Sequence, residues 1–108
     1  MTVESSSCHP VLTAQPLRFD DAAKLVDHLC RDGITVFRLA FVEQGLARRI
    51  LDFLCGAAMI QQGGLYRIAN QTYLLTPRGV SVDETLLREL EGYGLYTRDS
   101  EQSHRRLA

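Results

Sequence analysis

The chain has 108 residues and a mass of 12.1 kDa, which is the size of a single domain. Hydrophobic residues make up 45% and charged residues 23%, so the composition is that of a soluble globular protein and excludes a disordered or collagen-like chain. The net charge of −1 lacks the basic excess that is typical of nucleic-acid binders, so we predict no nucleic-acid partner. Apolar runs such as Leu39–Val42 are far shorter than the roughly 20 residues of a membrane-spanning helix.

The cysteines indicate a reducing compartment. Cys8, Cys30 and Cys55 form no CxxC pair and have no histidine at metal-ligand spacing, so we predict neither a metal site nor a cofactor. Residues 1–10 read MTVESSSCHP and lack the positive and apolar regions of a secretory signal. We therefore expect a cytoplasmic protein.

The first third of the chain predicts a strand and a helix. Residues 1–10 are polar and serine-rich, which is typical of a flexible N-terminal tail. Val11–Leu17 is consistent with a short strand at a sheet edge, since a proline lies near its end. Residues 19–31 show helical spacing, and Asp32-Gly33 ends that helix. The predicted buried face consists of Phe19, Ala22, Ala23, Val26, Leu29 and Cys30.

A second strand and helix follow. Ile34–Leu39 is rich in β-branched and aromatic residues and predicts a strand. The apolar spacing from about Val42 to Cys55 predicts a helix, with Gly56 as the residue that follows its end. Its predicted buried stripe is Leu46, Ala47, Ile50, Phe53 and Leu54.

The rest of the chain changes to shorter segments. Three strands are predicted, joined by Gly63-Gly64 and by Asn70-Gln71. Asp83 is placed to cap a short final helix, after which residues 93–108 are expected to form a flexible tail. The predicted segments are Ala57–Gln61, Leu65–Ala69 and Thr72–Thr76 for the strands and Glu84–Glu91 for the helix.

The predicted order β-α-β-α-β-β-β indicates an α/β fold with a core domain at residues 11–92. Two helices cannot cover both faces of a sheet of about five strands, so we expect a two-layer sandwich with both helices on one face. The short C-terminal helix is added to this sandwich. A small chain with a half-covered sheet often completes its core by dimerising, so we predict that the protein is not a monomer.

No catalytic constellation can be identified in the sequence. Gly63-Gly64 is followed neither by Lys-Ser/Thr nor by a helix, so it fits no phosphate-binding loop. His28 is interpreted as a boundary or surface residue, and Cys30 and Cys55 as small core hydrophobes. We therefore predict that the protein is not an enzyme.

Arg67 and Tyr73 are the most promising binding residues. They lie on adjacent predicted hairpin strands, where a shared sheet face would place a cation beside an aromatic ring. Such a pair suits a short peptide that carries a carboxylate and an apolar anchor. The alternative is a solvated arginine stacked on a neighbouring tyrosine.

Several motifs in the correct order resemble the SepF cell-division family. The stretch Ala47–Gly56 is similar to the family's A-[KR]-R-I-V-D-F-x-x-G, and Tyr73–Pro77 is similar to its F-L-x-T-P strand. A glycine near position 63 lies between them. Upstream, Pro16 with Phe19–Ala22, and then Asp27–Leu29, are similar to P-x-x-[FY]-[ED]-[ED]-A and D-H-L. The resemblance extends from about Val11 to Val82.

The resemblance implies a cell-division protein that acts at the division site. Proteins of this family fold as small α/β sandwiches, dimerise and polymerise, bind the C-terminal peptide of the tubulin homologue FtsZ and link it to the membrane. By alignment, Arg67 and Tyr73 correspond to the basic and aromatic residues that bind this peptide. The resemblance also implies a role in self-association and turn formation for the glycines at Gly56, Gly63 and Gly64.

The chain departs from the family at its start, because residues 1–10 contain no lysine or arginine and no apolar helical stripe. We therefore expect no direct membrane insertion. Three hypotheses follow: an FtsZ-binding homodimer, a regulator that binds a full-length SepF without contacting FtsZ, and a small ligand-binding regulatory domain.

Overall fold

The computed structural model describes residues 2–4, 9–96 and 105–108. In chain order, its elements are β1 (Thr2–Glu4), β2 (Pro10–Ala14), α1 (Asp21–Cys30), β3 (Ile34–Arg38), α2 (Gln44–Ile60), β4 (Gly64–Ala69), β5 (Thr72–Thr76), α3 (Glu84–Gly92) and β6 (Arg105–Arg106).

The strands form one mixed sheet in the order β1-β2-β3-β5-β4-β6. Strands β2 and β3 are parallel, because α1 crosses over between them, and every other neighbouring pair is antiparallel. Both edges of this sheet come from segments that we expected to belong to flexible tails. Thr2–Glu4 pairs with β2, and Arg105–Arg106 pairs with β4. The remainder of the predicted C-terminal tail, residues 97–104, lies outside the described residues.

The helices α1 and α2 pack on one face of the sheet, as predicted. Their core contains Phe37 and Leu75 from the sheet, and Ile50 and Leu54 from α2. The buried face of α1 differs from the prediction: Leu25 is buried, whereas Ala23 and Cys30 are exposed. The interpretation of Cys30 as a core residue is therefore wrong.

Helix α3 covers the opposite face, which the sequence analysis left partly apolar. Its buried leucines contact strand residues that alternate with those of the first core, so each sheet face has a core of its own. Asp83 caps this helix as predicted, since its Oδ1 accepts a hydrogen bond of 3.0 Å from the Leu86 amide. The core on the α3 side consists mainly of Val11, Ile34, Val36, Tyr66, Ile68, Leu74, Leu86, Leu87, Leu90 and Tyr96.

The predicted strand at Ala57–Gln61 does not exist, because α2 continues through this segment to Ile60. Ala58 extends the buried stripe of α2 and is fully buried. The helix ends where Gln62 adopts a left-handed conformation (φ 59°) and the Gly63 amide donates to the Ala58 carbonyl. Burial of Ala58 thus explains why the helix extends past the glycine that was expected to end it.

Candidate functional site

The structure brings Arg67 and Tyr73 together. They are direct partners across β4 and β5, so their side chains lie on the same face of the sheet, the one on which α1 and α2 pack. Both side chains are half-buried. The condition that the sequence analysis placed on this pair, a shared sheet face, is met.

A β-bulge creates this pairing. Asn70 and Gln71 form the two-residue turn that was predicted, and Ala69 pairs with Thr72. Regular antiparallel counting would then place Ile68, and not Arg67, opposite Tyr73. The register shift between Arg67 and Ala69 leaves Ile68 as an extra residue and moves Arg67 into the pair.

The aromatic half of the site is held by the core. The Tyr73 ring stacks on the Phe37 ring with centroids 5.5 Å apart and an interplanar angle of 23°. Phe37 is fully buried, and it is the register partner of Tyr73 on β3. The tyrosine ring therefore has a fixed orientation beside Arg67.

A second arginine, which the sequence analysis assigned to the flexible tail, lies next to the pair. Arg105 on β6 is the register partner of Arg67 on β4, and its side chain is exposed. No pattern around Arg105 predicts a strand, because β6 has only two residues. The arginines near the C-terminus indicate a positively charged segment, but they do not indicate where in the fold this segment lies.

Gly56 does not follow the end of a helix, as the sequence analysis expected, but lies inside α2 on its exposed side. A Cβ atom added at this position would meet nothing within 4 Å. The space above Gly56 is therefore open, and the residue is not required for a turn.

Gly63 and Gly64 lie where the chain passes from α2 into β4. A Cβ atom on Gly63 would overlap the carbonyl oxygen of Thr76, and one on Gly64 would lie 2.7 Å from the Tyr66 ring. The turn that was predicted at Gly63 is thus present, and it needs glycine for a close backbone approach. The role in self-association that the resemblance implies for these two residues stays a prediction.

An apolar cleft of about 430 Å³ lies on the outer surface of α1 and α2. Exposed side chains around it include Phe53 and Ile60, whose exposed fractions are 40% and 81%. Gly56 and Val26 also line the cleft. Apolar surface of this kind, on the outside of a helical layer, is typical of a protein–protein contact.

His28 has a structural position. Its Nε2 atom lies 3.3 Å from the Pro10 carbonyl oxygen and 3.2 Å from that of Ile34, which links the end of α1 to the two parallel strands. The ring is half-buried, in agreement with its interpretation as a boundary residue. Cys55 is also half-buried; desolvation, together with the nearby Asp52 carboxylate, raises the pKa of its thiol.

Within residues 2–4, 9–96 and 105–108, no three His, Cys, Asp or Glu side chains come together as metal ligands. None of the helices in the described part of the chain has the length and apolar character needed to cross a bilayer.

Comparison with known proteins identifies the family. The family model described as "Cell division protein SepF" matches residues 11–82. Curated SepF proteins of Streptococcus mutans and Finegoldia magna are 37% and 30% identical over 68 and 69 residues, which are 63% and 64% of this chain. The SepF protein of Acetivibrio thermocellus is 27% identical over 96 residues, or 89% of this chain. The aligned regions are 36%, 43% and 62% of those proteins, so the chain spans less than two thirds of their length.

Solved structures with the same fold include a SepF-like protein from Archaeoglobus fulgidus and another from Pyrococcus furiosus. Their TM-scores are 0.64 and 0.60 at 20% and 21% identity, and each comparison covers 68% of this chain and 92% of the other. These solved structures have the same α/β arrangement of sheet and helices as this protein. The match of the family model to two thirds of the residues, together with this fold, shows that the chain belongs to the SepF family of cell division proteins.

Proposed function

We propose that this protein is a non-enzymatic adaptor of bacterial cell division that binds the C-terminal peptide of FtsZ. The observation that carries the proposal is the direct cross-strand pairing of Arg67 with Tyr73 on one sheet face. A guanidinium binds a carboxylate through charge-assisted hydrogen bonds, and a fixed aromatic ring offers an apolar contact beside it. The protein would act in the cytoplasm at the division site.

Titration of the FtsZ C-terminal peptide, followed by calorimetry or fluorescence anisotropy, tests this site. We expect Arg67→Glu and Tyr73→Ala each to weaken binding by about tenfold or more. A hydrogen bond to a charged group contributes about 1.5–3 kcal/mol, and truncation of an aromatic anchor in a binding site costs about 2 kcal/mol or more. Arg78→Glu is the matched control, because Arg78 is exposed and follows the far end of β5. Unchanged affinity in both site variants, with folding verified by circular dichroism, would show that the peptide binds elsewhere.

We further propose that the protein self-associates through the apolar cleft on α1 and α2, with a second copy as the occupant. A two-fold dimer places the same patch of both copies in contact, so an apolar patch is its own complement. Gly56 would permit a close approach of the two helices, because no atom occupies the space above it. The exposed Phe53 and Ile60 would supply the buried apolar area.

Sedimentation equilibrium of wild type and Gly56→Glu tests the dimer. We expect wild type to sediment as a dimer and Gly56→Glu as a folded monomer, because the carboxylate would be buried in the contact without a partner. Gly92→Glu is a close control: Gly92 is the last residue of α3, and it also has open space where a Cβ would be added. A dimeric Gly56→Glu protein would refute this surface. A monomeric wild type that co-purifies with a full-length SepF would replace self-association with hetero-association.

A further inference from the structure

Arg67 and Arg105 form a pair of like charges in direct register. β6 runs antiparallel to β4, and Arg105 is the partner of Arg67, just as Tyr73 is its partner on the other side. The three side chains therefore lie side by side across three adjacent strands and on one sheet face. Neighbouring strands are about 4.8 Å apart, so this row places Arg67 between the Tyr73 ring and a second cation.

Neither arginine forms an ion pair in the part of the chain that the structure describes. The four ion pairs there involve other arginines and a lysine, and none reaches Arg67 or Arg105. Like charges directly opposite each other on a sheet are destabilising. An anion bound between the two guanidinium groups would remove this repulsion and gain hydrogen bonds from both.

Contacts of the residues that follow Arg105 hold it in this position. The Leu107 amide donates to the Leu65 carbonyl at 2.7 Å, and the Leu65 amide donates to the Ala108 carbonyl at 3.1 Å. The Leu107 side chain packs against the core beneath α1 and α2. Arg106 points to the opposite face, where its guanidinium carbon lies 5.5 Å from the centre of the Tyr66 ring.

We propose that Arg105 is a second cation of the peptide site, so that an acidic peptide places a carboxylate between Arg67 and Arg105 and an apolar side chain on Tyr73. This inference rests on the proposed function, and it adds a residue from the C-terminal strand to the site. The ligand it selects is an extended peptide with a carboxylate adjacent to an apolar anchor. A neutral peptide with the same anchor would bind without the contribution of the two arginines.

The test compares Arg105→Gln with Arg106→Gln in titrations of the FtsZ C-terminal peptide. The two variants remove the same charge from neighbouring residues of one strand, but only Arg105 lies on the face of Arg67 and Tyr73. We expect Arg105→Gln to weaken binding about tenfold and Arg106→Gln to change it less than twofold. Arg105→Lys keeps the charge and should recover part of the loss. Amidation of the peptide's carboxylates should weaken binding to wild type more than binding to Arg105→Gln, which retains only the contact with Arg67.

The outcomes separate this inference from the proposed function. If Arg67→Glu weakens binding and Arg105→Gln does not, the inference is wrong and the proposed function stands. If Arg105→Gln and Arg106→Gln weaken binding equally, the effect is one of net charge, and the inference is again wrong. If wild type does not bind the peptide, the proposed function fails and the inference fails with it. If wild type binds but neither Arg67→Glu nor Tyr73→Ala affects binding, the peptide binds elsewhere, and both the assigned site and the inference are wrong.

Discussion

Replacing the buried residue Thr35 should stabilise the protein, whereas most substitutions of buried residues destabilise it. Thr35 is fully buried on β3, and its Oγ1 atom has no hydrogen-bond partner among the described residues. Its register partners on the two neighbouring strands are Leu12 and Leu75, so the hydroxyl lies among aliphatic side chains. A buried hydroxyl without a partner costs about 1–3 kcal/mol. Thr35→Val keeps the shape and the β-branch and removes this cost.

We expect Thr35→Val to raise the free energy of unfolding by about 1 kcal/mol. At an m-value of about 2 kcal/mol/M, this shifts the urea midpoint upward by about 0.5 M. Circular dichroism during urea unfolding measures this midpoint. Wild type and variant are compared at equal protein concentrations, so that self-association contributes equally to the stability of both. Thr76→Val is the matched control: Thr76 is equally buried on β5, but its Oγ1 donates to the Gly64 carbonyl oxygen at 3.4 Å. This control should lose about 1 kcal/mol. A Thr35→Val protein that is less stable than wild type would refute the reasoning.

Three further predictions concern two glycines, one aspartate and two cysteines. Gly63→Ala should destabilise the protein by about 1–3 kcal/mol in urea unfolding, because its Cβ would overlap a backbone carbonyl, whereas Gly56→Ala should stabilise the monomer by about 0.5–1 kcal/mol. Two backbone amides that donate to the Asp21 carboxylate lower the pKa of Asp21. The ionised Asp21 carboxylate therefore stabilises the folded state above the unfolded-state pKa, and this contribution is lost as pH falls through the lowered native pKa. The difference in unfolding free energy between wild type and Asp21→Asn should shrink over that acid range. Iodoacetamide should modify the exposed Cys30 faster than Cys55, whose thiol pKa is raised, as measured by peptide mass spectrometry; equal rates would contradict this.

The sequence predicted the elements whose signals are local. The α1 helix ends where Asp32 takes a left-handed conformation (φ 61°) and Gly33 follows it, which the Asp-Gly pair indicated. The β4–β5 hairpin has the two-residue turn that Asn70-Gln71 predicted. In both cases, a short stretch of chain contains the residues that determine the conformation.

The error at the end of α2 came from the weight given to a single glycine. Gly56 is a common residue after a helix end, although four of the five residues from Ala57 to Gln61 favour helix by intrinsic propensity. The helix continues through them, and Ala58, which lies one turn after Leu54, is fully buried. The two edge strands are a similar case: Thr2–Glu4 and Arg105–Arg106 are too short to show a period, and pairing with an existing sheet gives them their conformation.

The candidate site combines both situations. The residue types of Arg67 and Tyr73 are visible in the sequence, but whether they share a face depends on one extra residue in β4. With a two-residue turn and no bulge, Tyr73 would face Ile68, and Arg67 would point to the side covered by α3. The bulge reverses this by placing Ile68 and Ala69 on the α3 side together, which both residues favour because they are buried there. Burial of two apolar side chains on one face of the sheet therefore places the arginine on the other face, beside the tyrosine.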